Sequence, residues 1–334
     1  MKTSTKPTSP LRYGIIGFGR FARRRIIPAF QQITDSSITA IQKRKPGEAA
    51  IEAESLGIST GYDSYEELLA DSAVDVVYIT SANHDHTEHA IASAKAGKHV
   101  LCEKPLANTP AACEKIIAAC AQAGVKLMVA QTLRYSAPVM LLKQWISAGK
   151  LGKISSARAC FTYLLETSPR SWIRDKQMAG GGPLADLGVH CIDTLRYLSG
   201  TVREAVGFTS PKGQENDIEL SAEGLLHFED GVTGSFFCSY QTPYWNRLAV
   251  WGEAGHAWVE PCAPPGTDVE LKFRDPYGEI AINRINTGNP YGKLIKAFSD
   301  AICHDTDVPI SGSEGLINQQ IISSVYAGNH YRRA

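Results

Sequence analysis

The 334-residue sequence has no surplus of charge of either sign, with 34 lysines and arginines against 34 aspartates and glutamates. Without a global field to attract a polyanion, nucleic acid and an anionic membrane surface are not expected partners, and a small molecule is. No apolar run approaches the ~18 residues that a membrane-spanning helix needs. The eight cysteines include no Cys-x-x-Cys pair and no regular spacing, which argues against a disulfide framework or a zinc cluster and fits free thiols in a reducing, cytoplasmic compartment. Met1 to Pro10 lack the apolar stretch of an export signal, so residues 1–10 are expected to be a disordered start, neither signal nor anchor. There is no internal repeat and no low-complexity segment.

What is present points to two domains, given a usual size of ~150 residues each. Tyr13 to Ile16 form a short apolar strand that runs into Gly17-Phe18-Gly19-Arg20-Phe21-Ala22. Gly17 and Gly19 permit a tight turn and close approach of backbone amides to a pyrophosphate, while small Ala22 lets the following helix pack on the strand. Phe18, Arg20 and Phe21 in this turn are counted with the coenzyme-facing residues. A second strand, Ser37 to Gln42, is followed by Lys43-Arg44-Lys45-Pro46, where an NAD enzyme usually carries an acid for the ribose hydroxyls. Asp35 lies at the wrong end of that strand. Cations at Lys43 and Arg44 favour a 2'-phosphate and hence NADP, with NAD as the second choice; a solvated basic turn is the plainer reading.

Glu48 to Leu56 and Tyr65 to Leu69 read as helices, and Asp75 to Thr80 as a strand buried on both faces. Such alternation predicts a doubly wound parallel sheet. Ser81 to His89 contain His86 and His89 at helical i, i+3 spacing beside Asp85 and Glu88, which resembles a metal set. No further ligand cluster accompanies them, and the segment opens a helix where Asn and Asp caps belong, so no metal is expected. Asn83 and His86 are instead expected to face the nicotinamide half of a dinucleotide, with Ser81 beside them. His99 to Cys102 form the next strand, and Glu103-Lys104-Pro105 end it. Proline cannot continue the ladder, so Lys104 sits at the carboxyl edge of the sheet, where ligands lie. A solvated surface lysine would look the same. Helix Pro110 to Gly124 and strand Val125 to Ala130 complete the domain, and Gln131 to Arg134 form the crossing to the next.

The glycine turn, Asn83 with His86, the run Ala96 to Ala107 containing Glu103-Lys104-Pro105, and the run Gly180 to Asp193 together resemble the Gfo/Idh/MocA oxidoreductases. The resemblance covers nearly the whole chain. It implies a Rossmann domain, 11–133, and a substrate-binding and oligomerisation domain, 134–334, built on an open, mostly antiparallel sheet and assembling as dimers or tetramers. It also implies that Lys104, Asp186 and His190 are the catalytic set, that Glu103 and a Trp172-x-Arg174 element approach the coenzyme, and that the reaction is hydride transfer between NAD(P) and a secondary alcohol of a sugar, polyol or related hydroxy compound. A redox-neutral glycosidase and a non-catalytic dinucleotide sensor on the same fold are the alternatives.

In the second half, glycine-rich Ala179 to Pro183 precede a helix starting near Leu184. Asp186 and His190 are four residues apart, so a helix presents both on one face, toward a cleft between the domains, where one residue can orient the other or the pair can merely stabilise the helix. Asp193, a turn further on, is the fallback carboxylate. Arg134 and Tyr135 either reach substrate hydroxyls or cap the domain junction. Beyond them, residues 154–165, 202–208, 218–228, 232–240, 247–251, 257–260, 269–273 and 279–283 alternate with period two and read as strands, with Glu229-Asp230-Gly231 as a hairpin turn. Residues 291–304 and 314–331 are read as closing helices.

Overall fold

The computed structural model describes residues 10–211, 217–262 and 266–333. The expected disordered start therefore lies, except for Pro10, outside the described residues. The chain divides into two compact units, one comprising residues 1–130 with 291–316 and the other 131–290 with 317–334.

In the first unit, six strands pair in parallel in the order β3-β2-β1-β4-β5-β6. They are β1 (Leu11–Ile16), β2 (Ser36–Gln42), β3 (Thr60–Tyr62), β4 (Val76–Ile79), β5 (His99–Cys102) and β6 (Leu127–Val129). Helices cover both faces of a sheet of this kind, so its central strands are apolar along their length rather than alternating, and every residue of β4 is buried. The sheet reverses its winding between β1 and β4, which places a ligand crevice beyond the carboxyl ends of those two strands.

The division departs from the expected 11–133 and 134–334 because the chain returns to the first unit. Helix Pro290–Cys303 brings the Ser299 hydroxyl to 2.8 Å from both Tyr13 Oη and Ser36 Oγ, and the Val129 amide donates to the Ile310 carbonyl at 3.0 Å. Lys296 meets Asp35 at 3.1 Å, at the amino end of β2 and away from the crevice.

The second unit carries a nine-stranded sheet among its described residues, in the order β14-β13-β12-β11-β7-β10-β9-β8-β15. These strands are β7 (Ile154–Thr162), β8 (Val202–Ser210), β9 (Ser221–Phe228), β10 (Thr233–Ser239), β11 (Trp245–Gly252), β12 (Gly255–Val259), β13 (Asp268–Arg274), β14 (Ile280–Asn286) and β15 (Tyr331–Arg332). β7 and β10 run parallel and the other described neighbours antiparallel. The inner face packs Ala157, Phe236, Leu248, Val250 and Leu271 in one core with Ile192 and Leu195 of helix Val189–Ser199. The outer face exposes Phe208, Leu225, Ile280 and Ile282.

Several elements differ from the sequence reading, among them β3, which it does not contain. Helix Ala137–Ser147, unread there, opens with Pro138 and buries Val139, Leu142 and Trp145. The last helix, Gly312–Tyr326, stops five residues before Tyr331, because Gly328 turns the chain at φ 66° into β15, which pairs with β8. β6 is confined to Leu127–Val129.

The start of the second unit is tied down by a buried polar network. Arg134 forks onto Asp193 with bonds of 2.8 and 2.7 Å, Asn318 donates to the same carboxylate at 2.9 Å, and Arg196 donates to Asn318 at 2.6 Å. Of the two expectations for Arg134, the bonds favour anchoring over reach to a substrate, since its fork is directed at Asp193. By the same bonds Asp193 is a structural anion and not a reserve catalytic carboxylate. Breaking a buried pair from one side leaves the other charge uncompensated, so Arg134→Met is expected to cost about 3–5 kcal/mol of stability. A urea unfolding curve checks this through its midpoint.

Candidate active site

On the first unit the carboxyl edge of the sheet is built from tight backbone contacts. Gly17 has φ 76°, and a Cβ there would lie 2.5 Å from Ser81 Cα, so no other residue fits where the β1 and β4 loops touch. A Cβ on Gly19 would meet only the Gly17 carbonyl oxygen at 3.8 Å, which leaves an open approach to the backbone where a phosphate would lie. The Gly17 amide donates to the Gln42 side chain at 3.1 Å and the Phe18 amide to the Gln42 carbonyl at 2.8 Å. Those two amides hold the turn, and the amides from Gly19 onward, at the helix amino end, are the ones placed for a pyrophosphate. Phe18 is buried, Arg20 is exposed, and the Phe21 ring meets Tyr291 edge-on at 5.6 Å.

At the end of β2, Lys43 lies 3.2 Å from both Glu48 and Glu52, Arg23 lies 2.6 Å from Glu52, and Lys45 lies 2.6 Å from Glu48. Arg44 is exposed and 3.7 Å from Asp85. Past β4, the Ser81 hydroxyl is 3.0 Å from His89 Nδ1, and Asn83 is buried in the first turn before helix His86–Lys95.

His86 is fully buried, with Nδ1 2.9 Å from the Pro105 carbonyl and Nε2 3.2 Å from the Ser81 carbonyl. Burial pushes its pKa down to about 4, so the ring is neutral at physiological pH. Where the sequence reading sets His86 toward the nicotinamide, the structure sets its ring between the carbonyls of Ser81 and Pro105, linking the two loops. Glu103 is also turned inward, accepting from Tyr78 Oη at 2.8 Å and from the Lys104 amide at 3.3 Å. Both contacts shape the loop that carries Lys104. Lys104 follows directly, partly exposed, just beyond β5.

On the second unit, parallel pairing sets the carboxyl ends of β7 and β10 side by side, and the next residue of each is a tyrosine. The rings of Tyr163 and Tyr240 are 5.0 Å apart, and both hydroxyls donate to Asp186 Oδ2, at 2.9 and 3.0 Å. Arg170 adds a fork onto the same carboxylate, at 3.1 Å to Oδ1 and 2.7 Å to Oδ2, and donates to Tyr163 Oη at 2.9 Å. Burial works against the Arg170 cation, but the adjacent Asp186 charge more than offsets it and raises its pKa. Burial, and then Asp186, push both phenols upward, so each stays a hydroxyl donor.

Asp186 lies in a wide π-helical turn, Leu184–Gly188, which passes into helix Val189–Ser199 carrying His190. The single α-helical face expected for the pair is thus interrupted at its start. His190 is partly exposed, with its ring 5.8 Å from that of Phe161. The glycines before the turn serve closeness: a Cβ on Gly182 would fall 2.1 Å from the Glu219 carbonyl oxygen, and one on Gly181 2.0 Å from Tyr326 Oη. Glu219 caps the turn by accepting the Gly182 and Leu184 amides, each at 2.9 Å, and the Tyr326 hydroxyl at 2.8 Å.

Trp172 packs beside the core with the Arg170 guanidinium 5.7 Å from its ring centre, Arg174 donates to the Leu165 carbonyl at 2.9 Å, and burial raises the Tyr135 phenol to about 12. Sequence reasoning missed Gln42, Tyr78, Tyr163, Arg170, Glu219, Tyr240 and Tyr326. Only Gln42 carried a readable signal, as the polar last residue of an apolar strand facing a glycine turn.

The open backbone at Gly19, the helix amino end and the crevice between β1 and β4 fit a dinucleotide. Residues 11–131 match the family described as an oxidoreductase family with an NAD-binding Rossmann fold, and residues 139–258 match the GFO/IDH/MocA C-terminal domain. The chain belongs to the Gfo/Idh/MocA oxidoreductases. It is 30% identical over 311 residues to 1,5-anhydro-D-fructose reductase of Ensifer adhaerens, covering 91% of this chain and 92% of the relative. It is 28% identical to D-xylose 1-dehydrogenase (NADP(+)) 2 of Haloferax volcanii, covering 95% and 96% of the two chains. Among solved structures, aldose-aldose oxidoreductase from Caulobacter crescentus, complexed with glycerol, superposes with a TM-score of 0.88 at 26% identity over 97% of this chain and 99% of that one. This family member is an NAD(P)-dependent oxidoreductase, as the sequence motifs imply.

The buried His86 makes stability depend on pH. Its proton affinity is lower in the folded chain, about 4, than the ordinary 6.5. The stabilisation is therefore complete above pH ~6.5 and lost as pH falls toward 4, by about 3 kcal/mol over that span. Thermal unfolding followed from pH 7 to 4 should show this loss, with a shallower slope in His86→Gln.

Proposed function

We propose that the enzyme transfers a hydride reversibly between NADP, with NAD also accepted, and the secondary alcohol or ketone of a sugar or polyol. The observation that carries this reading is the placement of Lys104 immediately past β5, at the ligand-bearing edge of a dinucleotide-binding sheet. The printed activities of the curated relatives, a reductase of an anhydrosugar and a dehydrogenase of an aldopentose, support the substrate class.

In this reading the amides from Gly19 to Phe21 hold the pyrophosphate, Lys43 and Arg44 lie toward the adenosine ribose, and Ser81 and Asn83 lie toward the nicotinamide, with Trp172 and Arg174 as further coenzyme contacts. The bound nicotinamide supplies the hydride acceptor or donor. Lys104 donates a hydrogen bond to the reacting oxygen and offsets the negative charge that develops on it. His190 takes the hydroxyl proton in oxidation and returns it in reduction, as suits an imidazole near neutral pH. Asp186, held by Arg170, Tyr163 and Tyr240, fixes the turn that leads into the helix carrying His190 and so positions the imidazole. The Asp186 charge is matched by Arg170, so the residues around it suit a neutral polyol better than a carboxylate. Tyr135 is proposed as a substrate-side residue. Scattered free cysteines support a cytoplasmic location, and among the described residues no helix is long and apolar enough to cross a membrane.

We further infer a homodimer or homotetramer formed through the outer face of the nine-stranded sheet, where Phe208, Leu225, Ile280 and Ile282 leave apolar surface uncovered.

Two measurements test these readings. Lys104→Met and His190→Ala should each lower turnover roughly a hundredfold or more in a screen of sugars and polyols read at the nicotinamide absorbance, and retained turnover in both overturns the assignment. Sedimentation at micromolar concentration should show an assembly, and a monomer alone removes the oligomer.

A further inference from the structure

In the basic run after β2, Arg44 is exposed and only 3.7 Å from Asp85, but Lys43 and Lys45 are engaged. Arg23, Glu52, Lys43, Glu48 and Lys45 form a chain of alternating charge, with contacts of 2.6, 3.2, 3.2 and 2.6 Å in that order. Glu48 and Glu52 are four apart on helix Glu48–Leu56, so one face of that helix presents both carboxylates to Lys43. Glu52 divides its oxygens, Oε1 to Arg23 on the helix after the glycine turn and Oε2 to Lys43 at the strand end. With 15% of the Glu52 side chain and 21% of the Lys43 side chain exposed, solvent screens this contact less than an open surface pair. Burial alone would make the Lys43 ammonium easier to deprotonate, and Glu48 and Glu52 together more than offset this, raising its pKa.

We propose that Glu52, assisted by Glu48, determines the coenzyme preference by occupying Lys43 where the 2'-phosphate of NADP would otherwise bind. The inference rests on the dinucleotide reading above and adds residues that no motif for coenzyme choice singles out. A 2'-phosphate has to displace a carboxylate from Lys43 and then remains beside it, so repulsion offsets part of the new attraction. A 2'-hydroxyl leaves the charge chain intact. The wild-type protein therefore binds both coenzymes, with a small advantage for NADPH. Removing the Glu52 charge while keeping its shape releases Arg23 and leaves Lys43 with Glu48 as its remaining carboxylate, which sharpens the preference.

The test is fluorescence titration of the intact protein with NADPH and NADH, which requires no substrate. In Glu52→Gln the ratio of the NADH to the NADPH dissociation constant should rise about two- to fivefold over wild type, the size of one charge contact of this exposure. Glu48→Gln should move it the same way by less, and Lys43→Met should bring it below the wild-type value. Melting temperatures confirm that each variant is folded, and the more exposed Glu48 position serves if Glu52→Gln is not. Raising the salt concentration should weaken NADPH binding more steeply than NADH binding. A ratio that stays the same or falls in folded Glu52→Gln overturns the proposal while leaving the dinucleotide reading intact. Failure of the wild-type protein to bind either coenzyme overturns both.

Discussion

Irregular backbone at the end of a strand leaves amides and carbonyls without ladder partners, and here buried polar side chains supply those partners. Gln42 fixes the glycine turn, His86 spans the Ser81 and Pro105 carbonyls, Glu103 sits between Tyr78 and the Lys104 amide, and Glu219 caps the turn that carries Asp186. Each of these groups has a cost of burial that hydrogen bonds offset, in part for the neutral His86, which has one N–H for its two neighbouring carbonyls. The loops that present the candidate catalytic groups owe their shape to this second layer of side chains more than to secondary structure.

That dependence explains which parts were legible in the sequence. The strands of the first unit declare themselves through continuous apolar runs, the glycine turn through its spacing, and most strands of the second unit through alternation, since these patterns are local. His86 and Glu103 read from the sequence as coenzyme-facing, and Arg134 as either substrate-facing or anchoring, because a side chain has the same letter whether it meets a ligand or another part of the chain. Asp186 is legible in the sequence, but the partners gathered around it are not. Tyr163 and Tyr240 come together only because β7 and β10 pair in parallel, and Arg170 reaches them from an aperiodic loop. Residues separated by more than seventy positions converge through topology, which no window along the chain reveals.

Charge is balanced locally as well as globally. The zero formal net charge of the chain has counterparts in the Arg170–Asp186 fork and in the alternating chain from Arg23 to Lys45, each of which largely satisfies itself. Composition identifies how many cations are present, whereas the structure identifies how many are still available to a ligand. For the residues after β2 those two quantities differ by Lys43 and Lys45.

The crowding around Gly181 and Gly182 has a consequence for which residues the turn admits. A run of three glycines invites description as a hinge, yet here the missing side chains let the Glu219 strand end and the Tyr326 ring close in until the backbone is pinned. The segment with the fewest atoms is thereby closely packed, and a side chain at Gly181 or Gly182 would have to displace Tyr326 or Glu219.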